Sequence, residues 1–329
     1  MKELSQLQVW ILRNAAAILS PAGHRASLLV LMYHRVLPEV DPMLPDEPDA
    51  ERFTAQMKLV RELFHVVDLA DGVEQLRAGR LPARAVAVTF DDGYANNRRI
   101  AAPILVELGM SATFFVATGF LNGTAMWNDR IIEALRRAPD HLDLGELGLG
   151  KLRLSETAAR RQAVDELLGK LKYLEPRDRL QTTESIESIV GLGSGGQVMM
   201  DESDVRDLAA MGMSVGAHSV THPILTRLSD DAARHEIHES KHRLEAVIRA
   251  RVRTFAYPNG RPERDYQRKH VEMVRSAGFE AAVSTAWGST TSEGDPFQIP
   301  RIAPWDRGAN RYALRMLRAQ IQRRGQLAS

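Results

Sequence analysis

Two short stretches of this sequence carry side chains at spacings that chemistry uses. The first is Val86-Ala-Val-Thr-Phe-Asp91-Asp92-Gly93-Tyr94, an apolar run that ends in adjacent carboxylates and a glycine. Successive strand residues point to opposite sides, so Asp91 and Asp92 need not share one task; one can bind a metal while the other takes a proton. The second is Gly216-Ala-His218-Ser-Val-Thr-His222-Pro223, whose two imidazoles are four residues apart, a spacing at which both rings can reach one ion. Pro223 disfavours the α region at His222, which points to a strand-end loop. A helical zinc-protease motif would also need glutamate where Ser219 stands. Each stretch has an ordinary reading when taken alone. Asp-Gly is common turn chemistry, and two histidines at this spacing are often structural.

Composition binds the two together. The chain has no cysteine, which excludes disulfides, thiolate metal sites, iron–sulfur clusters and cysteine nucleophiles. Any metal must sit on His, Asp or Glu. Asp92, His218 and His222 then form a His₂-carboxylate set, the open three-ligand arrangement of hydrolytic zinc sites. Water on such an ion has its pKa lowered from about 15.7 to about 7, and Asp91 is placed to receive the proton. Forty-three basic and 42 acidic side chains leave a net charge of +1, which argues against a nucleic-acid binder working by bulk electrostatics. With 44% apolar and 26% charged residues, disordered and fibrous classes are excluded.

The elements that must position these groups alternate along the chain. Strands are expected at Ser27–Tyr33, Ala85–Phe90, Ala112–Ala117, Met213–His218, Thr254–Tyr257, Ala281–Thr285 and Gln298–Ile302. Helices are expected at Glu51–Phe64, Ala95–Leu108, Glu202–Ala210, Asp230–Ala250 and Arg264–Ala277. Such alternation implies an α/β fold with a parallel sheet, open or closed into a barrel. Both chemical stretches then fall at strand C-terminal ends, where parallel α/β folds gather ligands. Residues 128–196 break the rhythm with Leu- and Arg-rich helical patterns and a glycine-rich return at 191–196, which reads as a helical insertion.

The first turns place Leu4, Leu7, Ile11, Ala15 and Ile18 at helical spacing. That stripe reads first as a docking face and second as a membrane-surface helix. A last helix at 310–324 carries Leu314, Leu317 and Ile321 on one face and Arg311, Arg315 and Arg318 on others, which reads as docked with a solvated basic side. Peripheral membrane contact is thus a secondary expectation for both terminal helices. No apolar run is long enough to span a bilayer, and Arg13 and Asn14 interrupt what would be a signal-peptide core. The default compartment is therefore cytoplasmic or membrane-peripheral. His235, His238 and His242 have helical spacing but lie among Glu, Arg and Lys, a solvated face.

Thr89-Phe-Asp-Asp-Gly93, His218-Ser-Val-Thr-His222 and Phe255-Ala-Tyr-Pro-Asn-Gly260 resemble the first three motifs of the polysaccharide deacetylases. These are the metal-dependent N-deacetylases with a NodB-type domain (carbohydrate esterase family 4). Leu31-Met-Tyr-His-Arg-Val36 resembles the branch acting on exopolysaccharides of N-acetylglucosamine. The resemblance implies a distorted (β/α) barrel of about seven parallel strands, spanning 27–329 with the insertion, preceded by an N-terminal helix within 1–26. It implies Asp91 as catalytic base, Asp92, His218 and His222 as ligands of a divalent metal (zinc in first place), and the Asn259 N–H as oxyanion donor. Many members have an arginine where Ala256 stands, and Arg301 is the candidate substitute. Many also have a late acid histidine, but no histidine follows His270, which itself sits in a polar stretch and reads as solvated. His34, at the end of the first strand, is the candidate acid. Tyr94, Trp127, Tyr257 and Trp305 are candidate sugar contacts. The implied partner is an N-acetylated poly- or oligosaccharide. A hydrolase of another non-peptide C–N bond, or a non-catalytic carbohydrate-binding relative, stand as alternatives.

Overall fold

The computed structural model describes residues 4–192, 197–322 and 326–328. Its strands are β1 (Ser27–Tyr33), β2 (His65–Val66), β3 (Ala85–Phe90), β4 (Thr113–Val116), β5 (His141–Leu144), β6 (Gly150–Arg153), β7 (Ser214–Ala217), β8 (Thr254–Ala256), β9 (Ala281–Val283) and β10 (Thr290–Thr291). The α-helices are α1 (Gln6–Leu19), α2 (Ala50–Leu63), α3 (Leu69–Arg77), α4 (Ala102–Glu107), α5 (Trp127–Arg137), α6 (Thr157–Leu171), α7 (Pro176–Val190), α8 (Glu202–Ala210), α9 (Asp230–Ile248), α10 (Arg268–Ser276) and α11 (Ala309–Ile321). The chain divides into two compact units: Met1–Glu39, Asp46–Asn122 and Met200–Ser329 form one, Val40–Pro45 and Gly123–Met199 the other.

In the first unit β1, β3, β4, β7, β8 and β9 lie side by side in that order, all parallel. β2 joins parallel to β3, making seven, and β10 adds antiparallel to β1. The sheet curls: Val283 pairs with Ile299 and Leu31 with Ile302, so residues 298–302 carry hydrogen bonding from β9 round to β1. A full strand was expected at Gln298–Ile302. Only isolated bridges form there, because Pro300 has no N–H to extend a ladder.

Alternation sorts the strand residues by side. Leu28, Val30, Ala85, Ala87, Phe115, Ala256, Val283 and Ile299 share one core with Leu69, Val73 and Leu76 of α3. Leu29, Leu31, Tyr33, Val86, Val88 and Phe90 pack instead with α2, α4 and α11. Continued along the chain, the parity of Ala85 and Ala87 reaches Thr89 and Asp91, and that of Ile299 reaches Arg301. The expected helix at Ala95–Leu108 is split into a π-turn at Asn97–Ala101 and α4, with Pro103 near the start of α4.

The second unit was expected to be helical throughout, yet β5 and β6 form an antiparallel hairpin beside α5, α6 and α7. Period-two burial of His141-Leu-Asp-Leu144 builds it, a pattern hidden among flanking leucines. Ile131, Leu135, Leu144, Leu167 and Ile186 form its core, and Arg130 grips Glu187 with two bonds of 2.8 and 2.5 Å. Gly191 ends α7 in a left-handed turn, while 193–196 of the expected glycine loop lie outside the described residues.

Both terminal helices dock, each with only part of the expected face. On α1 and just before it, Leu4 and Ala15 of the expected docking stripe pack inward with Val9, Leu12, Ala16 and Leu19, while Leu7, Ile11 and Ile18 of it are exposed. On α11, Tyr312, Ala313, Met316 and Leu317 are buried, and Leu314 and Ile321 are not. No described helix is long and apolar enough to cross a membrane.

Candidate metal centre and active site

Where β3 and β7 end, the backbone leaves regular geometry to aim side chains. Asp92, Ser219, His222 and Asn259 all have left-handed φ, 75°, 63°, 55° and 61°. Each such non-glycine residue costs about 1–3 kcal/mol, strain that the surroundings must hold in place. For the His218–His222 loop, those surroundings are specific. Glu236 of α9 accepts from the N–H groups of Val220 and Thr221 and from the Thr221 hydroxyl, at 2.7, 2.8 and 2.6 Å. The Ser219 hydroxyl accepts from His222 N–H, and the Thr118 and Gly119 N–H groups donate to the Ser219 and Val220 carbonyls. A side chain at Gly119 would place its Cβ 2.7 Å from the Val220 carbonyl oxygen, so this clamp requires glycine.

The result is a three-donor cluster. Asp92 Oδ1 lies 3.4 Å from Nε2 of both His218 and His222, and all three ligand atoms fall within 4.8 Å of one another. Tetrahedral zinc with bonds of about 2.0–2.1 Å separates its ligand atoms by about 3.4 Å, which the two distances from Asp92 match. His218 Nδ1 sits 2.8 Å from the Ala256 carbonyl, an acceptor that fixes a proton on Nδ1 and leaves Nε2 as the nitrogen directed at Asp92. Burial pushes His222 down to about 4, the neutral form that ligation needs. Burial disfavours the charged Asp92, yet the His218 bond and the nearby His222 and His34 outweigh it, holding the carboxyl far below its usual range. His218 shows the opposite balance: burial pulls its pKa down, and the bond to Asp92 more than restores it.

Asp91 has another partner. Both its oxygens accept from Arg301, at 2.7 Å each, in a two-pronged pair that is almost wholly buried. Arg301 is fixed in turn by the Ser284 carbonyl at 3.0 Å and the Thr89 hydroxyl at 3.2 Å. Burial opposes ionisation of Asp91, but Arg301 and His218 prevail and hold its pKa below the ordinary value. A carboxylate that stays ionised beside three metal donors is equipped to accept a proton from water.

A family model for polysaccharide deacetylases matches residues 78–145 and 182–282, the span that contains Asp91, Asp92, His218 and His222. The chain belongs to the polysaccharide deacetylase family. It is therefore a hydrolase of carbon–nitrogen bonds. The relative YxkH of Bacillus subtilis (strain 168) is 19% identical over 279 residues, covering 84% of this chain and 71% of that protein. The Streptococcus pyogenes deacetylase PplD, solved with acetate, superimposes with a TM-score of 0.59 at 19% identity, over 90% of this deacetylase and 98% of that chain. IcaB from Ammonifex degensii gives 0.58 at 18%, over 91% and 98%. The seven-strand curled sheet is thus the distorted barrel of NodB-like domains.

The deacetylase places its remaining candidates unevenly. His34, directly after β1, is half-buried and within electrostatic reach of Asp91, Asp92 and His222. Asn259, after β8, accepts from the Thr285 hydroxyl through its carbonyl at 2.9 Å, and its N–H has no protein acceptor among the described residues. Tyr94 is buried beneath Arg35, whose guanidinium lies 3.8 Å from the ring centroid, and burial pushes its hydroxyl up to about 12. Tyr257 is fully buried, stacked on Tyr266 and donating to the Phe297 carbonyl, so its side chain serves the core. Trp305 is exposed near Arg315, and Trp127 lies in the second unit near Arg179. His270 is wholly buried rather than solvated; its Nδ1 accepts from Gln267 N–H and caps α10.

Two residues near the site carry no sequence signal. Glu236 sits in the charged stretch of α9 that reads as surface. Glu47 lies in the Pro-rich loop after β1, where its carboxylate accepts from Arg35 N–H at 3.3 Å; burial raises its pKa against the pull of His34 and Arg35.

Proposed function

We propose that this deacetylase hydrolyses the acetamide of N-acetylated amino sugars in an exopolysaccharide, using one divalent metal ion, zinc in first place. The observation that carries the reading is the Asp92–His218–His222 cluster at zinc-like spacing beside an ionised Asp91. Asp92, His218 and His222 would hold the ion, which would supply Lewis acidity toward water and the acetamide carbonyl.

The chain's own groups then divide the work. Asp91, oriented by Arg301, takes a proton from the attacking water. The Asn259 N–H, which has no protein acceptor among the described residues, would donate to the charge that develops on the carbonyl oxygen, a role indifferent to which side chain position 259 carries. His34 returns a proton to the leaving amine, so water and the acetamide become a free amino sugar and acetate. Arg301 does from the closing segment what Ala256 cannot do from β8. Near-neutral net charge suits an uncharged acetylated sugar.

A panel of soluble N-acetylglucosamine oligomers, polymeric N-acetylglucosamine and small acetamides, assayed for acetate, tests the substrate class. The proposal requires turnover that rises with chain length. Turnover of small amides alone would assign the site to another C–N hydrolase.

A further inference from the structure

Helix α1 is apolar on two faces, and only one of them is packed. Val9, Leu12, Ala15, Ala16 and Leu19 lie against the core. Leu7, Trp10, Ile11 and Ile18 point away from it, exposed by 66%, 64%, 50% and 79%. At about 100° per residue these four fall within one stripe of about 100°. Exposed Leu314 and Ile321 occur on α11, which packs along α1, and Trp287 adjoins the end of α11, where Gln322 Nε2 donates to its carbonyl.

The charges carried by the two helices have one sign. α1 contributes Arg13 and α11 contributes Arg311, Arg315 and Arg318, with no acidic residue in either helix, although the whole chain is balanced to +1. Arg315 is neutralised by Asp306, while Arg13, Arg311 and Arg318 are exposed. A second copy meeting this face helix to helix would set arginine against arginine, with no acid on either helix to pair it. An anionic bilayer answers both features, with hydrocarbon for Leu7, Ile11 and Ile18, headgroup phosphates for the arginines, and the interfacial level for Trp10.

We propose that α1 and α11 seat the protein on an anionic lipid surface, lying in the interface without crossing it. The inference does not rest on the catalytic reading. It is tested by sedimenting the full chain with phosphatidylglycerol-containing vesicles and with pure phosphatidylcholine vesicles. The wild type should pellet with the former and remain in solution with the latter. Leu7→Glu/Ile11→Glu/Ile18→Glu, all at exposed positions, should lose the vesicles while keeping its circular dichroism and its acetate release from soluble oligomers. Arg13→Gln/Arg311→Gln/Arg318→Gln should weaken binding by about 100-fold. The proposal is overturned by a wild type that ignores anionic vesicles or by a triple-Glu variant that still pellets. It is equally overturned by a wild-type dimer that the triple-Glu variant dissociates without lipid binding, which would make a second copy the occupant.

Discussion

At the scale of the residue, one pair joins distant parts of the chain. Arg301 and Asp91 are 210 residues apart, buried, and bonded at both oxygens. Removing one partner of a buried ion pair costs about 3–5 kcal/mol, because the other charge is stranded. Arg301→Ala should therefore lower both stability and kcat, with KM little changed. Arg301→Lys keeps the charge without the parallel bonds and should fall between Ala and wild type. A kcat unchanged in Arg301→Ala would remove Arg301 from the positioning of the base. Asp91→Asn should keep stoichiometric metal, measured by plasma emission, and lose about 10²–10⁴ in turnover. His222→Ala should lose the metal itself. Asp91, Asp92, His218 and His222 were legible because each pair lies in one short string at a strand end. The Arg301 contact could only be guessed, since it depends on where the last segment closes the sheet. Tyr257 shows the converse: an aromatic inside a motif reads as a sugar contact, and burial on Tyr266 shows otherwise.

At the scale of the element, strand ends aim the candidate ligands and one helix holds the loop that carries the histidines. Glu236 ties three donors of the loop between the histidines to α9. Losing it strands two N–H groups and lets the left-handed Ser219 and His222 relax. Outer partners of metal ligands typically govern affinity by about 10–100-fold. Glu236→Ala should weaken zinc binding by that factor in a competition titration with a chromophoric chelator, while circular dichroism stays native. Equal affinity in variant and wild type would show the loop holds itself. Strand and helix identity was legible through period: β1, β3 and α8 match their expected bounds. Segment 298–302 was misread because apolar alternation does not reveal the missing donor of Pro300. The β5–β6 hairpin was missed because leucines spaced for a strand also fit a helix.

At the scale of the whole molecule, the apolar core stands on its own. Strand residues from Leu28 to Ile299 fill the interior with aliphatic and aromatic groups, and Asp92, His218 and His222 sit at the strand ends, outside that core. A metal bound only by the native state adds about 3–4 kcal/mol at 100–1,000 times its Kd, a shift of about 5–10 °C in Tm for a chain of this size. The proposed role predicts that its loss abolishes catalysis and costs the structure little. That separation is what distinguishes a metal-dependent deacetylase from a metal-stabilised binding protein on the same barrel. The direct test follows acetate release from N-acetylglucosamine oligomers and thermal unfolding on one sample, before chelation, after chelation and after zinc is returned. Activity should vanish and return while the protein stays folded throughout, with Tm moving by no more than about 10 °C. Full acetate release from the chelated, metal-free protein would contradict the account.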